Sequence, residues 1–132
     1  MTHLLLIAHA PLASALRTVA EHTFPSCAPQ LTALDVEPEM SADEVESRAR
    51  ALLAEAGAEE ILVLTDVAGA TPCNAAQRLL GEQVRIVSGV NVPMLWRTLC
   101  YSAEPLDALA QRAIEGGGRG ITPVAPINPE ST

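Results

Sequence analysis

Two short apolar runs, each stopped by residues that punctuate a chain, constrain the fold most. Residues 4–8 read Leu-Leu-Leu-Ile-Ala and give way at once to His9, Ala10 and Pro11. Ile61-Leu62-Val63-Leu64 leads into Thr65-Asp66-Val67-Ala68-Gly69-Ala70-Thr71-Pro72. Both runs read as strands, and helical patterns separate the apolar runs of this chain, as in successive βαβ units. If the two strands are parallel neighbours, a histidine and an aspartate leave the sheet side by side at its carboxyl end.

The remaining elements follow the same alternation. Strands are expected over residues 3–8, 30–35, 60–65 and 84–88, with a short fifth strand from Gly120 to Val124. Pro11 opens a helix through residue 23, with Leu12, Leu16, Val19 and Ala20 on one face. Ser41 and Glu44 form a capping box, and Gly57 is a natural stop after Ala56. Thr71 reads as an N-cap with Pro72 at the first helical position, for a helix that ends at Gly81. A helix from Pro93 to Tyr101 follows, and another from Glu104 to Glu115 ends in Gly116-Gly117-Gly118. The expected architecture is a single α/β domain over residues 1–124. Its doubly wound, mainly parallel sheet has the order 2-1-3-4, helices on both faces, and a tail over residues 125–132.

Length and charge narrow the function. At 132 residues the chain suits one domain. It carries eight arginines, no lysine and a formal net charge of −8, so a nucleic acid partner is not expected. No stretch suits a membrane span, and the amino terminus has no basic start or small-residue cleavage site. Cys27, Cys73 and Cys100 are odd in number and lack metal-ligand spacing, so no disulfide framework and no metal is expected. A reduced, cytoplasmic setting is the expectation, with Cys27 and Cys100 as filler.

The chemistry points to phosphoryl transfer. An imidazole is a good nucleophile near neutral pH, provided one ring nitrogen is free and the other is held. Asp66 is the candidate to hold it. Gly69, Ala70 and Thr71 begin a helix whose amides and hydroxyl suit an anion, and Ser88 and Asn91 would line the same crevice. From periodicity alone His9 is equally readable as an ordinary strand-end residue; Asp66 and the Gly-Ala-Thr-Pro turn favour the functional reading. His3 lies on the wrong edge of the sheet, and His22 is explained by a helix end. Cys73 at a helix start reads better as a small buried thiol than as a nucleophile. Gly116-Gly117-Gly118-Arg119-Gly120 follows a helix instead of opening one, so it is not a phosphate loop.

The segment from Thr65 to Ala76, then Gly89-Val90-Asn91-Val92-Pro93-Met94-Leu95, resembles the mannose-type enzyme IIA family of the bacterial sugar phosphotransferase system. Ile7-Ala8-His9-Ala10 and the segment from Glu115 to Gly120 are similar to that family too, so the likeness reaches nearly to Val124. It implies that His9 accepts a phosphoryl group from phospho-HPr and passes it to an enzyme IIB, with Asp66 orienting the ring and Thr71 near the phosphate. It also implies a homodimer, often with an edge strand exchanged, for which residues 120–124 match, and no cofactor. Ala10, Ala68 and Cys73 depart from the family's usual Gly, aromatic and Phe, which thins the apolar rim of the crevice that partners would meet. The alternatives are the phosphocarrier subunit of a dihydroxyacetone kinase, a receiver-like domain phosphorylated on Asp66, a Cys73–His9 hydrolase, and a binding module without catalysis. The receiver reading lacks the acidic pair after strand one and the lysine that such domains use.

Overall fold

The computed structural model describes residues 2–127. Four parallel strands, β1 (Thr2–His9), β2 (Leu31–Val36), β3 (Glu60–Thr65) and β4 (Val84–Ser88), form one sheet in the order β2-β1-β3-β4. The helices are α1 (Leu12–Thr23), α2 (Ala42–Ala56), α3 (Thr71–Gln77), α4 (Val92–Leu99) and α5 (Leu106–Arg119), with a short 3-10 turn at Ala28–Gln30. Leu4 to Ala8 are all fully buried. A strand covered on both faces needs apolar residues at every position, which is why this run does not alternate.

Leu4, Leu6 and Ala8 face a core built with α1, α4 and α5. Leu5 and Ile7 face the opposite core, built with α2 and α3. The chain steps from β1 outward to β2, then crosses to β3 on the other side of β1. Strand order therefore reverses between β1 and β3, and open α/β sheets bind their ligands at the strand carboxyl ends of such a reversal.

Helix caps follow the expected chemistry in α2. The Ser41 hydroxyl accepts from the Glu44 amide, and Gly57 ends the helix at φ 66°. Elsewhere the structure corrects the reading. Ala70, not Thr71, is the N-cap of α3, without a side-chain cap bond, and Thr71 and Pro72 lie inside the first turn. That helix also stops before Gly81, because Arg78, Leu79 and Leu80 bond to carbonyls three residues back and tighten the last turn.

Three further expectations are overturned. Helix α5 does not end at Glu115 but runs through Gly116, Gly117 and Gly118 to Arg119. The reason is close packing on α4: a Cβ on Gly116 would overlap the Arg97 side chain, and one on Gly117 would sit 2.9 Å from the Met94 methyl. Gly120 caps α5 rather than starting a strand. Residues 121–127 pair with no strand, and Ile121 and Val124 are 77% and 91% exposed, because nothing among the described residues covers them. Finally, Cys27 and Cys100 form a disulfide, 73 residues apart in sequence, while Cys73 is free and buried. The parity of three cysteines gave no sign of that bridge, which depends on the fold bringing distant residues together. The tail expected over 125–132 lies outside the described residues from position 128 onward.

Candidate functional site

β1 and β3 run in register with Ile7 beside Thr65. One residue further along β3 is Asp66, and two further along β1 is His9. The register thus delivers both side chains to the carboxyl ends of the two central strands, where strand order reverses. His9 Nδ1 lies 2.6 Å from Asp66 Oδ2, and the same oxygen accepts from the His9 backbone amide at 3.1 Å. The other carboxylate oxygen accepts from the Val67 amide at 3.0 Å.

Three bonds fix this carboxylate, and its side chain is 14% exposed against 53% for His9. Burial pushes the Asp66 carboxyl upward, but the bonds from the His9 ring, the His9 amide and the Val67 amide outweigh it. The group ends below its ordinary value and stays ionised. An ionised acceptor at Nδ1 places the ring proton there. Nε2 then carries the lone pair, and it makes no hydrogen bond among the described residues.

The loop from Asp66 to α3 turns at Gly69, whose φ of 87° suits only glycine well. Ala70 and Thr71 follow it into the helix. Ser88 ends β4 beside Thr65 and is exposed. Asn91 has a structural post: its side-chain oxygen caps α4 through the Met94 amide at 2.9 Å, and its nitrogen donates to the Gly117 carbonyl at 3.1 Å. His3 lies at the far end of β1, bonded to the Thr32 hydroxyl, where burial lowers its pKa. Cys73 is buried in α3.

Sequence reasoning missed Asp35. This carboxylate, at the end of β2, accepts from the Ser14 amide at 3.0 Å and the Ser14 hydroxyl at 2.6 Å. It anchors the first turn of α1 and so the short link that follows His9. A second missed residue is Thr65, whose buried hydroxyl has no hydrogen-bond partner among the described residues. No local signal distinguishes either from an ordinary strand residue.

A family model described as "PTS system fructose IIA component", EIIA-man, matches residues 3–113. The chain belongs to the EIIA-man family. Its members are enzyme IIA components of the sugar phosphotransferase system. The mannose-specific EIIAB component of Escherichia coli K12 is 37% identical over 65 residues, covering 46% of this EIIA-man chain and 20% of that protein. The chain thus matches about a fifth of that longer relative. Among solved structures, the mannose/sorbose-specific IIA subunit from Enterococcus faecalis has a TM-score of 0.86 at 25% identity, covering 96% of this chain and 97% of that one. An EIIA component from Streptococcus agalactiae shares the fold at a TM-score of 0.82 and 23% identity, covering 93% and 97%. No helix among the described residues is long and apolar enough to cross a membrane.

Proposed function

We propose that this chain is a phosphohistidine carrier: His9 takes a phosphoryl group from phospho-HPr and hands it to an enzyme IIB. The contact between His9 Nδ1 and Asp66 Oδ2 at 2.6 Å carries the proposal. The free Nε2 lone pair attacks phosphorus in line, and the bond from phosphorus to its carrier atom on HPr breaks, that atom keeping the electron pair. Positive charge develops on the imidazole as the new bond forms. The ionised Asp66 stabilises that charge and keeps the proton on Nδ1 throughout. Transfer onward repeats the displacement with a nucleophile of the IIB protein.

Amides of the Gly69-Ala70-Thr71 loop and the Thr71 hydroxyl receive the phosphoryl oxygens, and Ser88 lies at the rim. The half-exposed His9 ring suits a donor and an acceptor that are themselves proteins. The carrier needs no cofactor, because its donor already holds the activated group, and it works in the cytoplasm with its partners. Two copies associate as a homodimer, in which residues 121–124, unpaired within one copy, add as the exchanged edge strand.

The receiver-like reading fares worse. Both Asp66 oxygens are already occupied as acceptors, and the side chain is mostly covered. Incubation with enzyme I, HPr and phosphoenolpyruvate should label the wild type and leave His9→Ala unlabelled but folded. A folded His9→Ala protein that labels at the normal rate refutes the proposal.

A further inference from the structure

Far from His9, three links join one turn of the chain to one face of α4. Trp96 Nε1 donates to the Thr23 hydroxyl at 3.1 Å. The Phe24 ring meets Trp96 edge-on, with centroids 6.1 Å apart. The Cys27–Cys100 disulfide closes the set. Trp96 and Cys100 are four residues apart, so both project toward the turn from one side of the helix. Thr23 ends α1, and Phe24 and Cys27 lie in the chain between α1 and β2. Helices α1 and α4 otherwise meet along a thin seam, whereas α4 packs tightly on α5.

The bridge is open to solvent chemistry. Cys100 is exposed and Cys27 half-buried. Trp96, the one tryptophan of the chain, is 42% exposed beside it.

We infer that Cys27–Cys100 is a reversible thiol–disulfide exchange site that takes small dithiols and closes or frees the α1–α4 seam. A dithiol's thiolate attacks Sγ of Cys100, the more exposed residue of the pair. The bridge breaks, and Cys27 leaves as a thiolate that takes up a proton. The reductant's second thiolate then attacks its own sulfur in the mixed disulfide and releases Cys100, which is also protonated. Two electrons and two protons pass to the protein, and the reductant departs as a cyclic disulfide. Oxidised glutathione reverses the change through the same mixed-disulfide chemistry. The bridged Cα atoms lie 5.5 Å apart, an ordinary spacing for a disulfide. With the bridge open, the Thr23 and Phe24 contacts are left to hold Trp96 against the turn.

The test uses the full chain, equilibrated with oxidised glutathione and then titrated with dithiothreitol under native conditions. Alkylation after denaturing quench should count one thiol before reduction, Cys73, and three after it. Trp96 emission should shift to the red with the same midpoint. The melting temperature should fall by roughly 10 °C, as expected for opening a long loop. Cys27→Ser and Cys100→Ser should melt like the reduced wild type and ignore the reductant, while Cys73→Ser should respond normally. Three thiols in the glutathione-treated protein would overturn the inference. So would a bridge that dithiothreitol reaches only after global unfolding, or reduction that leaves both emission and melting temperature unchanged.

Discussion

Replacing Asp66 with asparagine tests the pairing of imidazole and carboxylate, and the structure sets the size of the effect. Oδ2 accepts from both the His9 amide and Nδ1, while Oδ1 accepts from the Val67 amide. Asparagine has one acceptor oxygen and one donor nitrogen, so it cannot serve both sides. If its nitrogen faces His9, Nδ1 must become the acceptor and the ring proton moves to Nε2, removing the nucleophile. If it faces Val67, that exposed residue's amide turns to water and the ring keeps a neutral acceptor.

The second arrangement is cheaper and should prevail. What remains lost is the charged partner of the ring. A hydrogen bond to a charged group contributes about 1.5–3 kcal/mol and a neutral one about 0.5–1.5 kcal/mol. The difference of roughly 1–2 kcal/mol, applied where the ring becomes positive, slows transfer by about 5- to 30-fold. The half-exposed ring favours the lower part of that range, since solvent screens the charge pair. Rapid-quench measurement of transfer from phospho-HPr should show this loss in Asp66→Asn, and at least as large a loss in Asp66→Ala, which also frees the ring to rotate. Rate constants equal to wild type in both variants would refute the assigned role.

Three other outcomes follow from the same geometry. Thr65→Val removes a buried hydroxyl without a partner and keeps its shape, so stability to denaturant should rise by about 1 kcal/mol; a loss would mean that the hydroxyl is satisfied. Gly116→Ala drives a methyl into the Arg97 side chain, and overpacking should outweigh the gain in helix propensity, with a net loss of about 1–2 kcal/mol in chemical denaturation; unchanged stability would show that Arg97 moves aside freely. The Asp66 carboxyl titrates below its ordinary 3.8 in the folded protein, so its contribution is present above that value and is lost as pH falls through the lower folded pKa. Wild type should therefore melt above Asp66→Asn near neutrality, and the gap should narrow only in strong acid; a gap that closes well above 3.8 would reverse the sign.

Much of this arrangement is legible in the residues. The uninterrupted Leu4–Ala8 run announces a strand buried on both faces, and the stop at His9 fixes where its side chain emerges. Ser41, Glu44 and Gly57 mark helix ends through local chemistry, which a sequence displays directly. The features that escape notice are non-local. Gly116 and Gly117 read as a helix stop, yet they are helical because α4 leaves no room for a side chain. Asp35 looks like any acidic residue until β2 lies beside β1 and brings it to Ser14. Cys27 and Cys100 are joined only because the turn after α1 and the end of α4 share one side of the sheet. Residues 120–124 carry strand-like composition without a strand to join inside the chain.

Nitrogen-15 and phosphorus-31 NMR of the protein, labelled on its histidines and charged by enzyme I, HPr and phosphoenolpyruvate, addresses the carrier itself. One phosphoryl group is expected on His9, coupled to Nε2, with the proton retained on Nδ1. A phosphoryl group on Nδ1, or on any residue other than His9, would contradict it.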